Sequence, residues 1–153
     1  MITILSRSDA VKAISKDPNR PIIAIGETNS DAVEAITSIA KNCLCLRFDD
    51  ITTAHPAYDK RRATKEQIEE AINWGKNKKD LIVACRAGIS RSSAIAYLIE
   101  CVITNPENAI KNLDYLKHQP NLHIINLGSR TLKNESIENT FDEWMKAFYQ
   151  RYL

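Results

Sequence analysis

Residues 81–93, LIVACRAGISRSS, are the stretch that decides how this chain folds. The four apolar residues 81–84 are typical of a short β-strand that is buried on both faces. From Ser92 onward the apolar residues recur at helical spacing. The segment therefore predicts a strand, then a short loop that begins at Cys85 and contains Gly88 and Arg91, and then a helix.

A loop of this kind can bind an anion beneath a cysteine thiolate. The N–H groups of residues 86–91 would lie at a helix N-terminus, where unpaired amides and the helix dipole favour negative charge. Gly88 lets the loop curl inward, and the planar guanidinium of Arg91 can donate to two phosphate oxygens at once. The same surroundings lower the pKa of a cysteine, which makes Cys85 a candidate nucleophile. The Ser92 hydroxyl can donate to the sulfur and help it leave a phosphocysteine.

The rest of the chain alternates short apolar runs with longer stretches of helical period. This alternation predicts an α/β fold, with a central, mostly parallel sheet flanked by helices on both faces. The predicted strands are residues 2–5, 21–25, 43–48, 81–84 and 123–127. The predicted helices are residues 30–41, 64–74, 92–104, 106–117 and 137–152. Thr64 and Gln67 have the spacing of a capping box at the start of one of them.

The bulk properties describe one ordinary globular domain. A chain of 153 residues can bury a core without disulfides or a metal, so residues 1–153 are predicted to form a single domain. The net charge of +2 gives no sign of nucleic-acid binding, and no long apolar run indicates a membrane span. The cysteines lack metal-ligand spacing, and no signal peptide is recognisable, so we expect reduced thiols and a cytoplasmic location.

Attack of a thiolate on a phosphate ester also needs an acid that protonates the departing oxygen. Asp49 and Asp50 follow the predicted strand 43–48, and sites in α/β proteins form at the ends of parallel strands. The residues alone leave open which of the two is the acid, and Asp59 is a third candidate. Residues 60–62, KRR, follow this loop and are candidates for a basic rim that attracts phosphorylated substrate.

The strand, the aspartate-bearing loop and CRAGISRSS leading into a buried helix resemble the cysteine-dependent protein tyrosine phosphatases, especially their small dual-specificity branch. The resemblance is specific over residues 43–104. It implies that Cys85 is the nucleophile, that Arg91 clamps the phosphate and that Ser92 assists departure of the thiolate. It favours Asp50 over Asp49 as the acid. It also implies that the phosphate cradle consists of Arg86, Ala87, Gly88, Ile89, Ser90 and Arg91.

The resemblance therefore implies a metal-independent phosphatase of phosphotyrosine, with phosphoserine and phosphothreonine as further substrates. Its partner would be a phosphorylated protein or peptide, with no cofactor, membrane or nucleic acid. The family usually has a histidine directly before the nucleophile, which helps to order the loop and tune the thiolate, and this chain has Ala84 there. The alternatives are a phosphatase of phosphoinositides or RNA 5′ phosphates, a phosphate-binding module without turnover, and a rhodanese-like sulfurtransferase. The position of Ile89, where a cation would help, argues mildly against phosphoinositides.

Overall fold

The computed structural model describes residues 2–152 and contains one parallel sheet with helices on both faces. The strands are β1 (Thr3–Ser6), β2 (Ile22–Gly26), β3 (Cys43–Arg47) and β4 (Ile82–Cys85). Their order in the sheet is β1-β4-β2-β3, and each of the three pairings is parallel. The carboxyl ends of the four strands therefore lie at one edge of the sheet, which is the edge where functional sites of α/β folds assemble. The predicted α/β class is confirmed.

Each face of the sheet has its own apolar core. The helices are α1 (Arg7–Lys16), α2 (Glu34–Thr37), α3 (Lys65–Gly75), α4 (Arg91–Ile103), α5 (Pro106–Ala109), α6 (Leu122–Thr131) and α7 (Glu135–Tyr152). Successive residues of a strand point to opposite faces. Ile22, Ala24 and Ala84 accordingly pack with α1 and α2. Ile23 and Val83 pack on the other face, with α3, α4, α6 and α7.

Helix α4 runs through the centre of the larger core. Its residues from Arg91 to Cys101 are all buried, which agrees with its nearly continuous apolar sequence. The helix begins directly after the loop that follows β4 and ends before Asn105, close to its predicted bounds. The capping box of α3 is also confirmed, because Thr64 and Gln67 each accept a hydrogen bond from the other's backbone N–H.

The prediction of a strand at residues 123–127 is wrong, because these residues lie in α6. Asn121 caps this helix, and its side-chain oxygen accepts a hydrogen bond from the N–H of Ile124 over 3.0 Å. The buried residues Ile124, Ile125 and Gly128 follow helical spacing. A five-residue apolar window is too short to separate that spacing from a buried strand.

Two predicted helices are much shorter in the structure. Residues 30–41 contain one turn of α-helix in α2, and residues 106–117 contain α5 followed by a 3₁₀ turn at Ile110–Asn112. Beyond that turn, the Asp114 carboxylate accepts from the N–H of Leu116 over 2.9 Å, a local hydrogen bond that favours a turn over a helix.

Helix α1 was not predicted from the sequence. Ser6 caps it by accepting a hydrogen bond from the N–H of Asp9 over 3.1 Å, and Ala10 and Ile14 are fully buried on its inner side. With only two buried apolar positions in ten residues, its sequence has a weak helical pattern. None of the helices within residues 2–152 is both long enough and apolar enough to cross a lipid bilayer.

Candidate active site

The loop after β4 curls around the start of α4 at the carboxyl edge of the sheet. Gly88 has φ +70°, and a Cβ atom added there would lie 2.5 Å from the backbone nitrogen of Ser6. Only glycine fits this conformation and this close approach to β1. The carbonyls of Arg86, Ile89 and Ser90 accept hydrogen bonds from surrounding backbone N–H groups at 3.0–3.3 Å.

The N–H groups of the loop, in contrast to its carbonyls, are available to a ligand. The N–H groups of residues 86–90 donate to no oxygen atom within residues 2–152. Ser90 precedes α4 in the capping position, yet its side chain makes no capping hydrogen bond to the helix. Apart from the N–H of Gly88, which contacts the Cys85 sulfur, these N–H groups have no protein acceptor among the described residues and lie at a helix N-terminus, which is the arrangement that binds phosphate.

Cys85 lies at the end of β4 beneath this loop, and its side chain is 3% exposed. Its sulfur lies 3.1 Å from the Ser92 hydroxyl oxygen. Burial by itself raises the pKa of the thiol, but contacts that favour the thiolate outweigh it, so the pKa lies below its ordinary value of 9.0. These contacts are the hydroxyl and N–H of Ser92, the charge of Arg91 and the N–H of Gly88. The arrangement favours a thiolate nucleophile.

The Arg91 side chain is buried and fixed at one nitrogen. Nη1 donates to the Phe48 carbonyl over 2.9 Å and to the Glu27 carboxylate over 3.1 Å, and it lies 3.5 Å from the Gly26 carbonyl. These acceptors follow or end β2 and β3, so two strand ends set the direction of the guanidinium. Within residues 2–152, Nε and Nη2 of Arg91 donate to no protein acceptor, and this edge of the guanidinium can grip a phosphate.

Glu27 and Arg7 complete this network, and sequence reasoning missed both. The Arg7 guanidinium donates to the two carboxylate oxygens of Glu27 over 3.1 and 2.8 Å. The hydrogen bond from Arg7 holds the pKa of Glu27 below its ordinary value against partial burial, and the bond from Arg91 adds to the effect. Arg7 directly follows β1, and Glu27 directly follows β2. The strand-end rule that singled out Asp49 and Asp50 could have found them as well.

Asp50 lies beside the loop, as the resemblance implies. Its Oδ1 accepts hydrogen bonds from the Ser90 hydroxyl and from the Asn121 side-chain amide, both over 2.7 Å. Asp50 and Cys85 line the same cleft, whose volume is about 860 Å³. The structure thus brings Cys85, Arg91, Ser92 and Asp50 together.

The other candidate acids are held differently. Asp49 also lines the cleft, but its carboxylate accepts hydrogen bonds from the backbone and hydroxyl of Thr28 and pairs with Arg61 over 3.4 Å. Asp59 accepts from the N–H of His55 and pairs with Arg62 over 3.5 Å, and it does not line the cleft. Two cations of the candidate basic rim are therefore bound to carboxylates, and none of residues 60–62 lines the cleft.

Asn121 is a second residue that sequence reasoning missed. It is 2% exposed, caps α6 with its side-chain oxygen, and donates from Nδ2 to Asp50. Its backbone N–H donates to the carbonyl of Ser90 over 3.0 Å. One side chain therefore joins the loop, the acid candidate and α6. The signal in the sequence was an asparagine before a helix, which the strand prediction at 123–127 concealed.

Ala84 packs on the opposite face of the sheet from Cys85. Its side chain is fully buried in the apolar core under α1 and α2, together with Ala10 and Ile14. A larger polar side chain at this position would have to enter that core.

No protein-family model and no curated protein sequence matches this chain. Solved structures do match it. The structure of PTPMT1 in complex with PI(5)P is similar over 87% of this chain and 90% of that one, with a TM-score of 0.57 and 12% identity.

Two further solved structures are similar to this chain over most of its length. The PTP-2 phosphatase of Cydia pomonella matches over 79% of this chain and 76% of its own, with a TM-score of 0.53 and 14% identity. The human tyrosine phosphatase-like serine/threonine/tyrosine-interacting protein matches over 86% of this chain and 91% of its own, with a TM-score of 0.51 and 20% identity. Similarity at these identities concerns the backbone arrangement. The chain therefore has the fold of the cysteine-dependent protein tyrosine phosphatases.

Proposed function

We propose that this protein is a metal-independent phosphatase that hydrolyses phosphotyrosine, and also phosphoserine and phosphothreonine, through a phosphocysteine at Cys85. One observation carries the proposal. A buried thiol with a lowered pKa lies at the base of an amide-lined loop, and Arg91 and Asp50 line the same cleft. A nucleophile, an anion clamp and an acid in one cleft are the components that phosphoryl transfer to a thiol requires.

In the first step, the Cys85 thiolate attacks phosphorus, the S–P bond forms, and the bond from phosphorus to the ester oxygen breaks. The Asp50 carboxylic acid gives its proton to the departing oxygen, which leaves as an alcohol or phenol. The loop amides and the guanidinium of Arg91 stabilise the charge on the equatorial oxygens throughout. No change in oxidation state and no metal is needed for this step.

In the second step, the Asp50 carboxylate takes a proton from water, and the hydroxide attacks the phosphocysteine. The S–P bond breaks and inorganic phosphate forms. The Ser92 hydroxyl, 3.1 Å from the sulfur, donates a hydrogen bond to the returning thiolate. Asp50 ends the cycle protonated, ready for the next ester.

The walls of the cleft support an aromatic ester as substrate. Ile89 and Leu122, which are 43% and 45% exposed, line the cleft together with Phe141 and Met145. Apolar side chains on the walls of a cleft with a positively charged floor suit a phosphorylated phenol, because the ring can lie against them while the phosphate enters the loop. This observation favours phosphotyrosine over phosphoserine, whose side chain offers little apolar surface.

A phosphoinositide is the second candidate substrate. The PTPMT1 structure that this chain resembles was solved with PI(5)P bound. In this chain, Arg86 is the only cation besides Arg91 among the cleft-lining residues of the described chain. A polyphosphorylated headgroup would find little positive charge there, so phosphotyrosine remains the primary proposal.

The test is hydrolysis of phenyl phosphate, a tyrosine phosphopeptide and soluble PI(5)P in the presence of a chelator. The Cys85→Ser variant should lose activity, Arg91→Ala should lose most of it, and Asp50→Asn should fall about 10²- to 10⁴-fold. Asp59→Asn is the matched control, because it changes a carboxylate outside the cleft lining, and it should retain parental turnover.

Undiminished activity in Cys85→Ser would refute the phosphocysteine. Activity that depends on added metal would refute the metal-independent mechanism. A parent protein that binds vanadate but hydrolyses none of the three esters would indicate the phosphate-binding module instead. A higher kcat/KM for PI(5)P than for the phosphopeptide would make the phosphoinositide the substrate class.

A further inference from the structure

A second, smaller pocket of about 150 Å³ lies next to the cleft. It is lined by Tyr115, His118, Gln119, Trp144, Met145, Phe148 and Tyr149. We call it the aromatic pocket. Gln119 and Met145 line the cleft as well, so the two spaces share a wall.

The shared wall is attached directly to the loop that would bind phosphate. The backbone N–H of Gln119 donates to the carbonyl of Ile89 over 3.0 Å. This hydrogen bond links the rim of the aromatic pocket to the loop in which the phosphate would bind. On the other side, Met145 belongs to α7, the same helix that contributes Trp144 and Tyr149.

The rings of the aromatic pocket face each other rather than a common centre. Tyr115 stacks on Trp144 with centroids 4.3 Å apart and an interplanar angle of 14°, and it stacks on Phe148 at 5.4 Å and 24°. A cage for a quaternary ammonium needs ring faces turned towards the cation. The stacked rings instead present their edges and apolar surface, which suits an uncharged, apolar side chain.

His118 adds no positive charge at neutral pH. Its Nδ1 accepts a hydrogen bond from the backbone N–H of Asp114 over 3.0 Å, which requires this nitrogen to be unprotonated. Burial lowers the pKa of the imidazole below its ordinary value, with a partly opposing effect from Asp114 and a reinforcing one from Lys117. A second phosphate or a carboxylate would therefore find no cation among the residues that line the aromatic pocket.

We propose that the aromatic pocket is a specificity subsite that takes one apolar side chain of the peptide whose phosphorylated residue occupies the cleft. The proposal rests on the proposed function, because it needs a phosphopeptide as substrate. A volume of about 150 Å³ fits one side chain of the size of leucine or methionine. The phosphate and this apolar side chain would then be bound at the same time. The residues of α7 would thus determine which phosphopeptides bind best.

The test is a set of tyrosine phosphopeptides in which one leucine is moved through a glycine- and serine-based sequence, up to about four residues on either side of the phosphotyrosine. An extended chain spans about 3.3 Å per residue, so this range covers the neighbourhood of the cleft. Binding of fluorescent peptides to the Cys85→Ser protein and kcat/KM of the parent are both measured. We expect one leucine position to improve both by about tenfold over the peptide without leucine.

Tyr149→Ala is the first variant, because the side chain is 48% exposed and its removal is tolerable for folding. It should reduce the preference for the favoured leucine position. Trp144→Ala should abolish that preference, and a thermal melt establishes whether this variant is folded. Leu116→Ala is the matched control, since Leu116 is 79% exposed on the same segment but lines neither space, and it should keep the preference.

Equal affinity for all leucine positions in the parent would overturn the proposal. A preference that survives in both Tyr149→Ala and folded Trp144→Ala would overturn it too. So would a concentration-dependent dimer that dissociates in Tyr149→Ala, because a second copy would then occupy the aromatic pocket. Hydrolysis of phenyl phosphate tests the proposed function separately. If that hydrolysis is absent, the binding arm with Cys85→Ser still decides the subsite.

Discussion

Replacement of Glu27 by glutamine tests whether the network behind the loop positions Arg91. Glu27 accepts from Arg91 over 3.1 Å and from Arg7 over 2.8 and 3.1 Å, so one carboxylate pairs with two guanidinium groups. Glutamine keeps the size of the side chain but removes its charge. The two arginines would then repel each other without a countercharge between them, and Nη1 of Arg91 would keep only neutral acceptors.

The distances set the size of the expected effect. Opposite unit charges 3.1 Å apart attract by about 5 kcal/mol at an effective dielectric constant of about 20, before the cost of desolvation. After that cost, hydrogen bonds to charged groups contribute about 1.5–3 kcal/mol. Since each 1.4 kcal/mol is about a factor of ten, Glu27→Gln should lower kcat/KM and the affinity for vanadate by about 10- to 150-fold.

The assay compares phenyl phosphate kinetics, vanadate inhibition and thermal melts. Asp31→Asn is the matched control, because Asp31 pairs with Arg47 at an exposed site where an ion pair contributes little. Unchanged vanadate affinity in folded Glu27→Gln would refute the positioning role.

The same network predicts how stability depends on pH. The pKa of Glu27 is lowered in the folded protein, so its stabilising effect is complete above the ordinary pKa of 4.5 and is lost as the pH falls through the lowered value. The difference in melting temperature between parent and Glu27→Gln should therefore shrink in acid. A constant difference from pH 7 into that range would contradict the assigned cause.

Three further substitutions test individual contacts. Ser92→Ala should move the alkylation of Cys85 by iodoacetamide to higher pH, since the hydroxyl that lowers the thiol pKa is removed, and an unchanged midpoint would refute this contact. Gly88→Ala should cost at least about 1–2 kcal/mol in urea unfolding and weaken vanadate binding, because φ is +70° and the new Cβ would meet the backbone of β1. Ala84→His should lower the free energy of unfolding by about 1–3 kcal/mol, because the imidazole enters a closely packed apolar core, and equal stability would contradict that packing.

Parts of the site were predictable because their signals are local. Cys85, Gly88, Arg91 and Ser92 lie within eight consecutive residues, and the flanking strand and helix α4 each have an unambiguous apolar pattern. A strand, a loop and a helix in succession fix the relative positions of these side chains without reference to the rest of the chain. The loop and the four strands at 2–5, 21–25, 43–48 and 81–84 were accordingly predicted close to their observed positions.

The contacts between the loop and residues distant in sequence could not be predicted from local patterns. Arg91 meets Glu27 across 64 residues of sequence, and Asn121 meets Asp50 across 71. Such pairs depend on the order of strands in the sheet and on the direction of α6, and a local sequence pattern predicts neither. Asn121 was hidden further because the short apolar run at 123–127 fits a strand and a helix equally well.

These long-range contacts explain why an alanine is tolerated directly before Cys85. In the family that the chain resembles, a histidine at this position orders the loop and tunes the thiolate, but Ala84 packs in the apolar core on the opposite face of the sheet from Cys85. In this chain the contacts that lower the pKa of Cys85 come from the loop and the first turn of α4. The loop is ordered by residues beyond it. The backbone N–H of Arg7 donates to the carbonyl of Arg86, and the Arg7 side chain binds Glu27, which in turn binds Arg91. The end of β1 thus supports both the loop and its arginine, and the lowered pKa of Cys85 requires no histidine at position 84.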